Sequence, residues 1–195
     1  MKKYYLIALI SGIISITLYR FAAEKRKCIP LPLVNIISWS LRDQNSSIFK
    51  SEKLKGKIYI ANFFSTRCYL ICPEIMNSFI QVCDRFDKRE DKIHFISFSV
   101  DSEYDTFLVL QKYIKKMKIR INNWTFIASK KEQVYKTLIN KFNIYIGGKN
   151  GIYDFDYIKT FILCDKNGSL RGFFSLESNI LSALVRAVNF LIENK

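Results

Sequence analysis

Residues 58–74 have the sequence IYIANFFSTRCYLICPE, and both the fold and the chemistry of the chain are predicted from this stretch. Its first half, Ile58–Phe64, is a short apolar and aromatic run with the composition of a buried strand. From Pro73 onward the sequence favours a helix, because proline suits the first helical turn and the acidic residue after it complements the helix dipole. Cys68 and Cys72 therefore lie where a strand ends and a helix begins.

These two cysteines are the residues best suited to chemistry. A helix N-terminus favours the thiolate form of cysteine, and the thiolate is both the nucleophile and a ligand for soft metals. The separation of four residues brings the Cα atoms within the roughly 4.4–6.8 Å that a disulfide needs, so Cys68 and Cys72 are predicted to be able to form one. Cys68, ahead of the helix, is expected to be the more exposed residue and the nucleophile. A chance pair of buried core thiols is the alternative.

Outward from this stretch, strands and helices alternate. Asn167-Gly168 predicts a hairpin turn, and Asp43–Ser46 a polar turn near the start of the domain. The order predicts an α/β, thioredoxin-like three-layer domain. The predicted strands are Ile36–Leu41, Ile58–Phe64, His94–Val100, Trp124–Ile127, Thr160–Cys164 and Leu170–Phe174, and the predicted helices are Pro73–Phe86, Glu103–Lys118, Glu132–Phe142 and Ser178–Glu193.

The N-terminus predicts a membrane anchor. An uncharged segment from Tyr4 to Tyr19 follows Met1-Lys2-Lys3, and a membrane span needs roughly 17–25 apolar residues. We therefore expect a transmembrane helix in residues 1–23, a linker in 24–35 and the folded domain in 36–195. A cleaved signal peptide is the alternative, although Phe21 stands where a cleavage site needs a small side chain.

The chain is basic, with 31 Lys and Arg against 17 Asp and Glu and a formal charge of +14. The basic residues are scattered among Ile, Asn, Phe and Tyr, and no nucleic-acid-binding motif accompanies them. We therefore expect no nucleic-acid partner. Contact with anionic lipid or with an acidic partner remains open.

The motifs of the chain resemble those of the Sco/SenC family of membrane-anchored copper chaperones for cytochrome c oxidase. The matching pieces are Leu41–Gln44, Leu54–Lys57, Cys68-(x)3-Cys72-Pro73-Glu74 and Ser99–Thr106. This resemblance implies a thioredoxin-like fold that faces the periplasm or an equivalent compartment. It also implies that Cys68 and Cys72 handle Cu(I) or thiol redox during oxidase assembly.

The sequence departs from the family where its third copper ligand is expected. The family completes its site with a His that follows Asp, and Tyr157 stands at that position in Asp154–Phe161. Tyrosine is a poor ligand for Cu(I), which prefers thiolate, thioether and imidazole. Tyr69 is a second departure, because the family has proline after the first cysteine. Tyr157 is therefore not expected to ligate copper.

Three classes of function follow. The first is a metallochaperone that delivers Cu(I) to the copper-bearing subunit of cytochrome c oxidase. The second is a metal-independent thiol–disulfide oxidoreductase that uses Cys68 and Cys72 on a periplasmic thiol protein. The third is a non-catalytic assembly factor whose copper site has decayed. Whether the protein is an enzyme stays open, with the metallochaperone favoured.

The remaining candidate residues have simpler explanations. His94, the chain's one histidine, matches no ligand of the family. Cys83 is expected to serve packing and not chemistry. Cys164 is expected to face the core, and the alternative is that it serves as a third copper ligand. Cys28 could pair between chains, since the number of cysteines is odd. The carboxylates after the second core strand are expected to cap the following helix, and the first of them could also support the cysteine loop; they are Asp101, Glu103 and Asp105.

Overall fold

The computed structural model describes residues 34–35, 38–119, 122–142, 159–175 and 180–193. They belong to one unit of the chain, Leu31–Lys195. Among the described residues, no helix combines the length and the apolar character needed to cross a membrane. The predicted anchor in residues 1–23 lies outside the described part of the chain, as do Cys28 and Tyr157.

Strands and helices alternate in the described residues as the sequence predicts. The strands are β1 (Val34–Asn35), β2 (Ser40–Arg42), β3 (Ile48–Lys50), β4 (Ile58–Phe64), β5 (Ile93–Ser99), β6 (Trp124–Ile127), β7 (Thr160–Cys164) and β8 (Ser169–Ser175), and the helices are α1 (Cys72–Arg85), α2 (Phe107–Lys116), α3 (Lys131–Phe142) and α4 (Ile180–Glu193).

The main sheet of the described residues has the strand order β1-β8-β7-β4-β5-β6. Strand β4 pairs in parallel with β5, which pairs in parallel with β6, whereas β7 and β8 are antiparallel to their neighbours. The register places Phe64 opposite Ser99. The carboxyl ends of β4 and β5 therefore meet at one edge of the sheet, where the loop with Cys68 begins.

Helices cover both faces of the sheet. Adjacent strand residues point to opposite faces, and Phe64 stacks on Tyr113 of α2 with ring centroids 5.6 Å apart. Phe63 lies on the other face against Phe98, whose ring is 5.8 Å from Phe142 of α3. The arrangement is a mixed α/β, thioredoxin-like fold with three layers.

The centre of α1 is fixed by one aromatic residue. Phe79 is fully buried, with its ring 5.8 Å from Phe95, 5.1 Å from Trp124 and 5.1 Å from Phe161. These rings come from three different strands, so α1 is held across the sheet. This contact fixes the helix that begins at Cys72.

Two predictions of secondary structure need correction. The predicted edge strand Ile36–Leu41 is replaced, in its described part, by β2, which pairs with β3 in a separate two-stranded sheet. The predicted helix Glu103–Lys118 begins only at Phe107, because the backbone N–H groups of Tyr104 and Asp105 bond to the Asp101 carbonyl in a turn. The bounds of β4 and β6 are confirmed.

Candidate functional site

Cys68 and Cys72 form a disulfide, and their Cα atoms are 5.5 Å apart. Cys68 lies in the loop after β4, and Cys72 is the first residue of α1. The prediction that the two residues can be bridged is confirmed. This bond joins the carboxyl edge of the sheet to the start of a helix.

The two sulfur atoms have different surroundings. Cys72 is 2% exposed, whereas Cys68 is only partly buried. The Cys72 backbone N–H donates a hydrogen bond to Cys68 Sγ over 3.2 Å. This N–H, at the start of the helix, is a donor to the sulfur that would carry negative charge after reduction. Both observations agree with Cys68 as the nucleophile, which stays a prediction.

A buried carboxyl group ties the cysteine loop to the end of β5. Asp105 is fully buried and accepts hydrogen bonds from the Thr66 backbone N–H at 3.2 Å and from the Thr66 hydroxyl. The Ser99 hydroxyl donates to the same carboxyl group at 2.6 Å. Burial raises the pKa of Asp105 more than these hydrogen bonds lower it. Asp105 thus holds Thr66, two residues before Cys68.

An ion pair makes the second link between the two loops. Arg67 donates to Asp101 Oδ2 from Nε at 2.7 Å and from Nη2 at 2.6 Å, and its guanidinium lies 4.4 Å from the centre of the Tyr104 ring. Ser65 also donates to Asp101, at 3.4 Å. The guanidinium of Arg67, the residue before Cys68, is therefore held between Asp101 and Tyr104.

These contacts overturn one prediction and confirm another. Asp101 and Asp105 do not cap the following helix, whose N-cap residue is Thr106 and has no side-chain cap hydrogen bond. They bond to the cysteine loop instead, which confirms the suggested supporting role of Asp101. Glu103 is exposed. Thr66 and Ser99 were not predicted as site residues, and the signal for them is that polar residues follow two strands that end at the same edge.

Two large side chains between the cysteines are exposed to solvent. Tyr69 is 79% exposed and Leu70 is 93% exposed. The two residues are adjacent, so together they place exposed apolar surface next to the disulfide. They form the part of the cysteine loop that a partner would touch first.

The remaining cysteines of the described residues lie apart from the disulfide. Cys83 is buried in α1, and burial raises the pKa of its thiol. Cys164 is fully buried, pairs with Tyr59 near the amino end of β4, and has its pKa raised by burial. Strand β4 separates Tyr59 from the cysteine loop by about 17 Å, at roughly 3.3 Å per residue. The alternative that Cys164 serves as a third copper ligand is therefore wrong.

His94 also lies away from the disulfide. It is near the amino end of β5, 2.9 Å from the Thr125 hydroxyl, with its ring stacked on Phe49. Burial, together with the charge of Lys57, lowers its pKa to about 4. The prediction that His94 is not a ligand agrees with this position.

A third ligand is not found among the described residues, where no cluster of three His, Cys, Asp or Glu side chains could hold a metal ion. Tyr157, which the resemblance places at the position of the family's histidine, lies outside the described part of the chain. The soft-metal donors that the cysteine loop and the start of α1 bring together are the two sulfur atoms of Cys68 and Cys72.

Comparison with known proteins points to one protein family. A family model described as SCO1/SenC matches residues 34–191. A SCO2-like protein of Rickettsia felis is 30% identical over 146 residues, which are 72% of this chain and 69% of that protein.

Solved structures show the same fold. One is BsSco, a member of the Sco family of cytochrome c oxidase assembly proteins in which a disulfide switch was identified; it has a TM-score of 0.72 and 21% identity, and the match covers 86% of this chain and 99% of that one. Another is Bradyrhizobium japonicum ScoI with copper bound, with a TM-score of 0.64, 24% identity, and coverage of 81% and 100%.

Proposed function

This chain belongs to the SCO1/SenC family, and we propose that it serves cytochrome c oxidase assembly by handling Cu(I) at Cys68 and Cys72. The observation that carries the proposal is the bond between these two residues, with Cys68 accessible and Cys72 at the start of α1. The similarity to an oxidase assembly protein and to a copper-bound Sco protein supports the choice of cargo.

Copper is the cargo in this proposal, and the oxidised pair must first be reduced to receive it. A dithiol reductant supplies two electrons and two protons, opens the disulfide to two thiols and is itself oxidised to a disulfide. Binding of Cu(I) to both sulfurs then releases their two protons, since the thiolate is the ligand. A soft cation suits two thiolates, and the Cys72 N–H stabilises the charge on Cys68.

The third ligand decides how firmly copper is held. By resemblance, Tyr157 replaces the family's histidine, and a phenol with a pKa near 10 offers a hydroxyl and not an anion at neutral pH. We expect weaker Cu(I) binding than in a Sco protein with three ligands, and poor binding of Cu(II). Tyr157→His is expected to strengthen copper binding, measured by competition with a chromophoric Cu(I) chelator. Unchanged affinity would count against the alignment at Tyr157.

Thiol–disulfide exchange is the second candidate, and the disulfide itself favours it. The Cys68 thiolate would attack a disulfide of the partner and expel one of its sulfurs as thiolate. The Cys72 thiolate would then attack Cys68 Sγ and expel the second. The partner gains two electrons, and the Cys68–Cys72 bond re-forms, to be reduced again by a dithiol reductant.

One experiment separates these functions. Copper bound per molecule is measured for the purified domain with and without reductant, in the wild type and in Cys68→Ser and Cys72→Ser. Copper that appears only after reduction and is lost in both variants supports the metallochaperone. Exchange with a peptide disulfide without copper binding supports the oxidoreductase. If neither occurs, a non-catalytic assembly factor remains. Cys83→Ala, which removes a buried free thiol, is the control.

We further propose that the domain is tethered to a membrane through residues 1–23 and faces the periplasm or an equivalent compartment. The uncharged Tyr4–Tyr19 segment supports this. Its partner there is the copper-bearing oxidase subunit or another thiol protein. The full chain is expected to resist alkaline extraction from membranes, and a mature chain beginning near Glu24 would indicate cleavage.

A further inference from the structure

The outer face of helix α2 carries a cluster of unpaired lysines. Lys112, Lys115 and Lys116 are exposed, and the helical repeat places them below Leu108, which is 56% exposed. The opposite face of the helix packs inward through Leu110. We call the outward residues Leu108, Lys112, Lys115 and Lys116 the basic face.

The described residues form no ion pair with this face. The two ion pairs of the described part of the chain are Arg67–Asp101 and Arg171–Asp165, and neither includes a lysine of α2. From Phe107 to Lys131 the sequence contains no acidic residue. Of the carboxylates just before the helix, Asp101 and Asp105 are turned inward and Glu103 is exposed. The basic face therefore presents a positive surface.

The helix that carries this surface begins close to the loop that holds the disulfide. Tyr104 packs on Arg67, which directly precedes Cys68, and Asp105 bonds to Thr66. Helix α2 starts two residues later, at Phe107. With a rise of 1.5 Å per residue, Lys112 lies about 8 Å beyond the start of the helix. One partner can therefore cover both the basic face and the opening to Cys68.

We propose that the basic face docks an acidic polypeptide and brings that partner's own cysteine pair to Cys68. The inference rests on the proposed redox function and adds the class of its partner. Acidic residues on the partner would complement the charge of the lysines and steer the encounter. The disulfide beside them requires a partner that carries sulfur. Exposed Tyr69 and Leu70 supply apolar contact around the reacting atoms.

The reaction in the docked complex is a two-electron exchange. The reduced Cys68 attacks one sulfur of the partner's disulfide, and the other sulfur leaves as thiolate. Cys72 then displaces the partner from Cys68, so the partner ends with two thiols and this protein with its disulfide. The exchange needs a partner that carries a disulfide, which a lipid surface does not supply, so a protein suits this face better than a bilayer.

The test is a single-turnover reaction with charged peptides. The reduced protein is mixed with a Cys-(x)3-Cys peptide in its disulfide form, flanked either by glutamates or by lysines. For each protein, the rate at which it reduces a charged peptide is divided by the rate at which it reduces an uncharged disulfide. Each measurement is made at low and at high salt. Phosphatidylglycerol vesicles provide a separate lipid-binding assay.

Two charge-reversed variants are compared. The first is Lys112→Glu with Lys115→Glu, on the basic face. The control is Lys88→Glu with Lys92→Glu, which changes the net charge equally. Both control lysines are exposed and lie near the amino end of β5, at the opposite edge of the sheet from Cys68.

In the wild type, the acidic peptide is expected to react about tenfold faster than the basic one at low salt, with the preference shrinking at high salt. The α2 variant is expected to lose this preference and the control to keep it. Equal losses in both variants, or no preference in the wild type, would overturn the docking face alone. Vesicle binding through these lysines without peptide preference would assign the face to lipid. No exchange with either peptide would refute the redox function as well.

Discussion

Replacing Asp105 with alanine tests whether a carboxyl group outside the cysteine loop holds the disulfide in place. Asp105 is fully buried and accepts hydrogen bonds from the Thr66 backbone, the Thr66 hydroxyl and the Ser99 hydroxyl. Ser99 is fully buried, so its hydroxyl has no route to water in the variant. Thr66 is only half-buried and can turn toward solvent.

The cost follows from these three lost hydrogen bonds. The buried Ser99 donor left without a partner costs about 1–3 kcal/mol, and each of the two bonds lost at half-buried Thr66 costs about 1 kcal/mol. Asp105→Ala is therefore expected to lower the free energy of unfolding by about 3–5 kcal/mol. Asp105→Asn keeps one acceptor oxygen and adds an amide N–H from which the Ser99 hydroxyl can accept a hydrogen bond. This variant should therefore lose much less stability.

The pH dependence has a definite sign. Because burial raises the pKa of Asp105 above its ordinary value of 3.8, the folded protein keeps a proton that the unfolded chain has released. Stability from this group is full below pH 4 and falls as the pH rises through the raised value. Asp105→Asn should lack this part of the pH dependence, measured by urea unfolding at several pH values.

The redox readout separates a local effect from a general one. In Asp105→Ala the loop is freer, so the equilibrium with dithiothreitol should move toward the dithiol by about tenfold, or about 30 mV. Asp165→Ala is the control, because Asp165 is also buried and bonds to Arg171 and two backbone N–H groups at a different turn. An equal redox shift in both variants, or none in Asp105→Ala, would refute the reasoning.

Three further predictions concern the core. Since the pKa of His94 is lowered to about 4, the unfolded chain binds a proton that the folded state excludes; stability should fall as the pH drops from 6.5 toward 4, and His94→Gln should flatten this slope in urea unfolding. Burial raises the pKa of Cys83 and Cys164, so iodoacetamide should label them only after unfolding, as mapped by mass spectrometry; labelling in the folded protein would contradict their burial. Phe79→Ala should cost about 3–5 kcal/mol in urea unfolding, and a loss below 1 kcal/mol would contradict its central packing.

The strands of the core were predictable because their composition leaves few alternatives. Strands β4 and β6 are fully buried, so their apolar runs end where the strands end. The hairpin of β2 and β3 was missed because each strand has three residues and one buried side chain. Such short strands carry too little periodicity to be recognised, and tertiary contact with β6 decides their position.

The start of α2 shows how tertiary contacts override a local preference. The composition of the sequence from Glu103 onward favours a helix. However, the Asp105 carboxyl group accepts hydrogen bonds from Thr66, and Asp105 does not continue a helical turn. The helix begins at Phe107, two residues beyond Asp105. The error in the predicted boundary thus has the same cause as the geometry of the site.

The cysteine pair and its supporting side chains differ in how far the sequence could reveal them. Cys68 and Cys72 are four residues apart, so a local argument from a strand end and a helix start was enough to predict their bond. Thr66 and Asp105 are 39 residues apart, and they meet only because β4 and β5 are parallel neighbours. Their contact becomes predictable once that pairing is assumed, because parallel strands bring their carboxyl ends to one edge.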